Sequence, residues 1–141
     1  APHVDFGEVR SSDTSDAFEH LPFYQYDTPE KLDLPRGCRL VGIELVDASI
    51  PLPSFRHPTR AAYVLGPERG ELSPELQARC DFLIQIPMQF CVNVGVAGAI
   101  VMYDRMLSMG RFAERPVRAG GPTEELVRHR HGGQIIRTAN K

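Results

Sequence analysis

The sequence predicts an α/β domain in which helices flank a parallel sheet. Three apolar runs of strand length, at residues 40–43, 61–65 and 82–86, alternate with segments that carry helix-start signals. Each run is apolar nearly throughout, which is typical of strands buried on both faces of a parallel sheet. Strands that alternate with helices in this way indicate parallel pairing.

The first helices are expected to be short. One is predicted at residues 17–20, and the aromatic segment at 23–26 has the composition of a strand. Thr28, Pro29 and Glu30 combine a capping hydroxyl, a first-turn proline and an early acid. This combination predicts that a brief helix begins there.

Two further helices are predicted later in the chain. Ser73 and Pro74 supply the cap and the first position of a helix at residues 73–80. The longest helix is predicted over residues 93–107, with Gly110 just past its end, where a glycine commonly stops a helix.

Composition and cysteine usage are those of an ordinary soluble domain. Hydrophobic residues make up 42% of the 141 residues and charged residues 24%, both close to average values. No apolar stretch is long enough to span a bilayer. Three cysteines without a C-x-x-C spacing fit reduced thiols. We therefore expect a cytoplasmic protein without a membrane segment or a metal site.

Charge is divided unevenly along the chain, although the formal net charge is −2. Residues 1–110 contain nine Lys and Arg against fifteen Asp and Glu, whereas residues 111–141 contain seven against three. A basic tail can contact a polyanion such as RNA, or it can simply be solvated, and the charge pattern leaves both interpretations open. We expect a domain at 1–110 and a basic C-terminal tail at 111–141.

The candidate site follows from the predicted sheet. Ligands of open α/β sheets bind outside the carboxyl ends of the strands, so the segments at 44–45, 66–70 and 87–89 matter most. Gly66 has no side chain to keep a ligand away from the main chain. Exposed main-chain amides in such a loop can bind the edge of an adenine or the hydroxyls of a ribose.

An ordered series of motifs surrounds the second and third apolar runs. It comprises Leu-Gly-Pro-Glu at 65–68, Leu-Ser-Pro-Glu-Leu at 72–76, Cys-Asp at 80–81, Ile-Pro-Met at 86–88 and Asn93. This series resembles the second and third motifs of the SpoU/TrmH (SPOUT) family of RNA methyltransferases. The resemblance covers roughly residues 8–107.

The resemblance implies a parallel sheet whose C-terminal half is tied in a deep trefoil knot, normally in a homodimer. It also implies that the knot loops hold S-adenosylmethionine, largely through backbone contacts. By position, the cofactor-binding residues would be Ile43, Glu44, Leu45, Leu65, Gly66, Ile86, Met88, Cys91, Val92 and Asn93.

The reaction that the resemblance implies is methyl transfer to a ribose 2′-hydroxyl of tRNA or rRNA. Such a transfer requires alignment of the donor sulfur, the methyl group and the acceptor oxygen, and loss of the hydroxyl proton. Glu68 and Asn93 would be the catalytic residues, which shape the site and orient the acceptor. Arg10 and Arg69 would contact RNA phosphates.

Two features depart from the family pattern. The family reads Glu-x-x-Gly-Leu, whereas Gly70 comes one place earlier here and Glu71 stands in the glycine position. The family's first motif, an Asn followed by Gly and Arg on a helix, has no counterpart in residues 1–40. We therefore expect the first strand and the first-motif helix to be missing from this domain.

Two other functions remain open at this point. One is a knotted module that binds the cofactor or RNA without methyl transfer, because the first-motif arginine is absent. The other is an unrelated α/β enzyme that acts on a small molecule. Binding of S-adenosylhomocysteine by the folded chain would separate this second alternative from the methyltransferase and the binding module.

Overall fold

The computed structural model describes residues 17–90 and 92–122, and these ranges form an α/β arrangement around a parallel sheet. The four strands within them are β1 (Arg39–Ile43), β2 (Ile50–Pro51), β3 (Ala61–Leu65) and β4 (Phe82–Gln85). Their order across the sheet is β2-β4-β1-β3, and every pair is parallel. The predicted parallel sheet and its three long strands are therefore confirmed.

The helices of the described ranges begin where the capping signals predict. They are α1 (Ala17–His20), α2 (Pro74–Arg79) and α3 (Val94–Met109), with 3₁₀ turns at Pro29–Lys31 and Leu52–Ser54. Ser73 caps α2, since its Oγ accepts a hydrogen bond of 3.3 Å from the Leu76 amide. The segment that opens at Thr28 is a single 3₁₀ turn and not an α-helix.

One local prediction is wrong and another is confirmed. Residues 23–26 are irregular and not a strand, and Tyr24 is 73% exposed. Gly110 ends α3 as predicted, with a φ of −77° in extended backbone. The glycine is needed for space, because an added Cβ would collide with the Phe112 ring and lie 2.6 Å from the Met106 carbonyl oxygen.

The core lies between the sheet and α3. Val41 of β1, Ile84 of β4 and Val101 of α3 are fully buried in one hydrophobic cluster. Leu52 and Phe55 belong to the same cluster. Burial of such side chains contributes about 1.5–3 kcal/mol each. The packing of Val101 therefore fixes the long helix over the sheet.

The strand register aligns the carboxyl ends of β1, β3 and β4 at one edge of the sheet. Ile43 pairs with Leu65 of β3 on one side and with Ile84 of β4 on the other. Because the strands are parallel, the loops that follow them leave the sheet at the same edge. This edge is where the candidate site lies.

The described chain continues past α3 without a helix or strand as far as residue 122. Arg111, Arg115 and Arg118 are exposed in this segment. The rest of the predicted basic tail lies outside the described residues. Within residues 17–90 and 92–122, no helix is both long and apolar enough to cross a membrane.

Candidate functional site

A cavity of about 220 Å³ opens at the carboxyl edge of the sheet. Its walls come from the loops after β1, β3 and β4 and from the first turns of α3. The lining residues are Ile43, Glu44, Leu45, Leu65, Gly66, Pro67, Glu68, Gly70, Gln85, Ile86, Met88, Phe90, Val92, Val94 and Ala97. Parallel pairing brings these distant segments together, as expected for a ligand site of an open α/β sheet.

Most of the residues that the sequence predicts for the cofactor lie around this one cavity. They are Ile43, Glu44, Leu45, Leu65, Gly66, Ile86, Met88 and Val92, and the predicted catalytic residue Glu68 lines it with them. Asn93 does not line the cavity. Cys91 and Arg10 lie outside the described residues.

The cavity combines an apolar rim with two acids. Leu45, Met88 and Phe90 are 53%, 47% and 82% exposed, respectively. Apolar side chains left uncovered around a concave site indicate that a ligand with apolar surface covers them. Glu44 and Glu68 are the charged residues of the lining within the described part of the chain.

The Glu44 carboxylate joins two of the loops that form the cavity. Its Oε1 accepts a hydrogen bond of 3.0 Å from the Leu45 amide, and its Oε2 accepts one of 2.8 Å from the Leu72 amide. The Glu44 amide in turn donates to the Ile84 carbonyl at 2.9 Å. Glu44 therefore connects the end of β1 to β4 and to the loop at 66–72.

Leu72 is the buried end of that loop, with an exposed fraction of 3%. Its carbonyl accepts a hydrogen bond of 2.7 Å from Gln77 Nε2 of α2. A Cβ added at Gly66 would lie 3.6 Å from the Leu72 amide nitrogen, and one added at Gly42 would lie 3.2 Å from Leu72 Cδ1. The leucine thus fills the space beneath both glycines.

Asn93 caps the long helix. Its Oδ1 accepts hydrogen bonds from the amides of Gly95 at 2.9 Å and Val96 at 3.4 Å. An asparagine in this position stabilises the first turn of a helix. The side chain that was predicted to be catalytic is therefore engaged in positioning α3, whose Val94 and Ala97 line the cavity.

The model of the SpoU rRNA methylase family matches residues 6–103. The match includes every described residue that lines the cavity. It also includes the whole of α2 and the part of α3 up to residue 103. The chain belongs to the SpoU rRNA methylase family. A comparison with curated proteins gives no match.

Membership of the SpoU family indicates an RNA methyltransferase. It argues against the third interpretation of the sequence, an unrelated α/β enzyme that acts on a small molecule. The cavity is the site in the SpoU domain where the motifs at 65–68 and 86–88 meet.

Gly70, two places after Glu68, stands where the backbone requires a glycine. It has a φ of +121°, a conformation that side chains rarely adopt. Glu71 is exposed beside it. Arg69 is also exposed and does not line the cavity, although it lies next to Glu68.

The motif acid Asp81 has a structural role at the opposite edge of the SpoU sheet. Its Oδ2 accepts a hydrogen bond of 2.8 Å from the Leu40 amide, and its Oδ1 lies 3.3 Å from Arg39 Nη1. The hydrogen bond from the backbone and the neighbouring guanidinium lower the pKa of Asp81. Asp81 therefore ties the start of β4 to the start of β1.

A polar junction that was not predicted lies beneath α3. The His57 ring has its Nδ1 2.6 Å from Tyr63 Oη and its Nε2 2.7 Å from Asp104 Oδ2. Arg105 donates to Tyr63 Oη at 3.0 Å and to the Pro58 carbonyl at 2.7 Å. The His57 side chain is fully buried, so this junction is closed to substrates.

Several residues of the cavity were not among the predicted site residues. They are Pro67, Gly70, Gln85, Phe90, Val94 and Ala97. The helix start at Asn93 contains a signal for two of them, because Val94 and Ala97 are three apart and share a helix face. No group of three or more potential metal ligands is found in residues 17–90 and 92–122.

Proposed function

We propose that this SpoU domain transfers a methyl group from S-adenosylmethionine to a ribose 2′-hydroxyl of tRNA or rRNA in the cytoplasm. The observation that carries the proposal is the cavity at the carboxyl edge of the sheet, which gathers the motif residues of three loops. The match to the SpoU family over residues 6–103 supplies the reaction class.

The lining of the cavity fits the chemistry of this cofactor. Leu45, Leu65 and Ile86 offer apolar surface for an adenine ring, and Gly66 leaves main-chain atoms accessible. Glu44 and Glu68 give the cavity a negative potential. S-adenosylmethionine, when bound, supplies an electrophilic methyl group on a positively charged sulfur, which such a potential favours.

Glu68 is the residue that we assign to the acceptor. Methyl transfer forms an oxygen–carbon bond at the ribose hydroxyl, breaks a sulfur–carbon bond and releases the hydroxyl proton. The exposed Glu68 carboxylate at the mouth of the cavity can accept a hydrogen bond from that hydroxyl and orient its oxygen. Asn93 contributes by fixing the start of α3.

Exposed arginines beside the mouth and beyond α3 can contact RNA. Arg69 is next to Glu68, whereas Arg111, Arg115 and Arg118 are exposed after the end of α3 that is remote from the cavity. Arginines position a nucleic acid through its phosphates, and such contacts weaken as salt concentration rises. We propose that the domain at 1–110 carries the reaction and that the tail at 111–141 contributes affinity for RNA.

We also propose that a second copy of the chain covers the exposed face of α3. Apolar side chains form a continuous surface there, from Leu52, Pro53, Ile86, Pro87, Val96, Ala99, Ile100, Tyr103 and Leu107. Identical faces can cover each other about a two-fold axis. Ala99→Glu should convert a dimer to a monomer in sedimentation, whereas Met102→Glu on the flank of α3 should not.

The proposed deep knot is supported by the path of the chain around β4. This strand lies between β1 and β2, although it follows both in sequence. The segment after it lies beside the loops that follow β1 and β3, because Ile86, Met88 and Val92 line the same cavity as Leu45 and Gly66.

The decisive experiment combines binding with product analysis. Calorimetric titration of the chain with S-adenosylmethionine and with S-adenosylhomocysteine should give saturable binding of both. Radiolabelled transfer to bulk tRNA and rRNA should then give a product that resists alkaline cleavage at the methylated nucleotide, since alkaline cleavage requires a free 2′-hydroxyl. DNA is the matched control and should receive no label.

The outcomes separate the open alternatives. Label that remains on bases after alkaline hydrolysis to nucleotides would contradict the ribose assignment and leave an RNA methyltransferase. Cofactor binding without transfer to any RNA would support the non-catalytic binding module. No binding by a folded chain would overturn the proposal altogether.

A further inference from the structure

We infer that Glu44 is a positioning residue that holds the loop at 66–72 in place as a wall of the cavity. This inference rests on the proposed function and assigns a role to one residue of the same site. The role is additional to the predicted contact of Glu44 with S-adenosylmethionine.

Both oxygens of the Glu44 carboxylate are already engaged. Oε1 accepts from the Leu45 amide at 3.0 Å and Oε2 from the Leu72 amide at 2.8 Å. Bonds from N–H groups to an ionised carboxylate are stronger than those between neutral groups. A ligand that displaced either bond would leave a main-chain amide without this partner, which is unfavourable.

Leu72 is anchored by side chains from two different elements. Its amide donates to Glu44 at the end of β1, and its carbonyl accepts from Gln77 of α2. The leucine is buried, whereas residues 67–71 are all exposed. The position of this exposed stretch is therefore set at its far end by Leu72.

The anchor matters for the cavity because the loop supplies one of its walls. Gly66, Pro67, Glu68 and Gly70 line the cavity and are fixed at one end by β3. At the other end, the Leu72 amide and carbonyl bonds hold them against β1 and α2. Loss of the Glu44 bond would let the Glu68 carboxylate move relative to the loops after β1 and β4.

The two carboxylates of the cavity have different surroundings. The Glu44 carboxylate accepts hydrogen bonds from two amides within the protein, whereas Glu68 is exposed. Glu68 is therefore the more accessible of the two carboxylates, and Glu44 shapes the loop around it.

Hydrogen exchange of the Leu72 amide, measured by NMR on the ligand-free chain, tests the anchor directly. We expect Glu44→Ala to lower the protection of this amide at least tenfold and to weaken S-adenosylhomocysteine binding about tenfold or more. Glu44→Gln keeps one acceptor oxygen and should restore part of both. Gln77→Ala, which does not line the cavity, should weaken binding about threefold.

Glu71→Ala is the matched control, because it removes an exposed carboxylate from the same loop. It should change neither the exchange rate nor the affinity. Unchanged protection of the Leu72 amide in Glu44→Ala would overturn the inference, as would full retention of affinity once that protection is lost. If the natural chain does not bind S-adenosylhomocysteine, the proposed function fails, while the exchange measurement still decides whether the anchor exists.

Discussion

The cavity at the carboxyl edge of the sheet and the polar junction beneath α3 are built in opposite ways. The cavity is lined by loop backbone, glycines and partly exposed apolar side chains, with acids at its mouth. The junction consists of side chains that bond to one another, with His57 between Tyr63 and Asp104. The first region is open to ligands, whereas the second is closed around a fully buried imidazole.

The difference assigns separate tasks to the two ends of α3. Its first turns, with Val94 and Ala97, form a wall of the cavity. Its later turns, with Asp104 and Arg105, attach the helix to β3 and to the segment at 55–60. A buried network of this kind is costly to break because it leaves polar groups without partners. We therefore expect the junction to govern stability and the cavity to govern ligand affinity.

The largest expected effect is that of His57→Ala. Removing the imidazole leaves a cavity, takes the His57 partner from Asp104 and removes one of the two side-chain bonds of Tyr63, so unfolding should become easier by about 2–4 kcal/mol. Urea unfolding measures this change, with the exposed neighbour Arg56→Ala as control. If the folded variant also lost affinity for S-adenosylhomocysteine, the assignment of stability to the junction and of affinity to the cavity would be wrong.

A bulky side chain at Gly66 should reduce the affinity for the ligand. A single added Cβ would sit 3.6 Å from the Leu72 amide, an ordinary contact, so Gly66→Ala should bind normally. The further methyl groups of Gly66→Val would press on the loop, and we expect about a hundredfold loss of affinity, or about 2.7 kcal/mol. Calorimetric titration of Gly66→Ala and Gly66→Val measures this difference in affinity. Equal affinities would show that the loop at 66–72 moves to make room for the valine.

A smaller effect is expected at Asn93, where the two tasks meet. Asn93→Ala removes the cap of α3 and should lower stability by about 1 kcal/mol, whereas Asn93→Ser keeps a capping oxygen. Thermal unfolding and methyl transfer should be measured on both variants. Loss of transfer in the stable serine variant would support the catalytic prediction, and retained transfer would leave Asn93 as a cap alone.

The smallest effect concerns acid stability and lies outside both regions. Because the folded-state pKa of Asp81 is lowered, its contribution is present above the ordinary aspartate pKa of about 3.9 and is lost as pH falls through the lower folded value. Asp81→Asn should therefore lose less stability than the natural chain on acidification below about pH 4. Unfolding curves at matched pH values would contradict this if the two slopes were equal.

Much of the fold could be predicted because its signals are local. Uniformly apolar runs identify β1, β3 and β4, and the caps at Ser73 and Asn93 identify α2 and α3 to within a few residues. The failures also have local causes. The aromatic segment at 23–26 is irregular although its composition favours a strand, and β2 is only two residues long, one of them Pro51, so its pattern is too short to detect.

The candidate site, too, could be predicted only where its signals are local. The motif order and the rule that ligands bind at the carboxyl ends of parallel strands predict which loops form it. The sequence by itself therefore determined the three longer strands, the starts of α2 and α3 and the segments that surround the cavity. These features depend on neighbouring residues, whose periodicity and capping chemistry can be read directly.

Only the tertiary structure decided how those segments meet. It placed β4 between β1 and β2, joined Glu44 to Leu72 across 28 positions, and joined His57 to Asp104 across 47. Such partners carry no local pattern, because any buried amide or imidazole can form a hydrogen bond with whichever suitable group the fold brings within reach. The pairing is a property of the packed sheet and helix, whose shared core includes Val101 of α3.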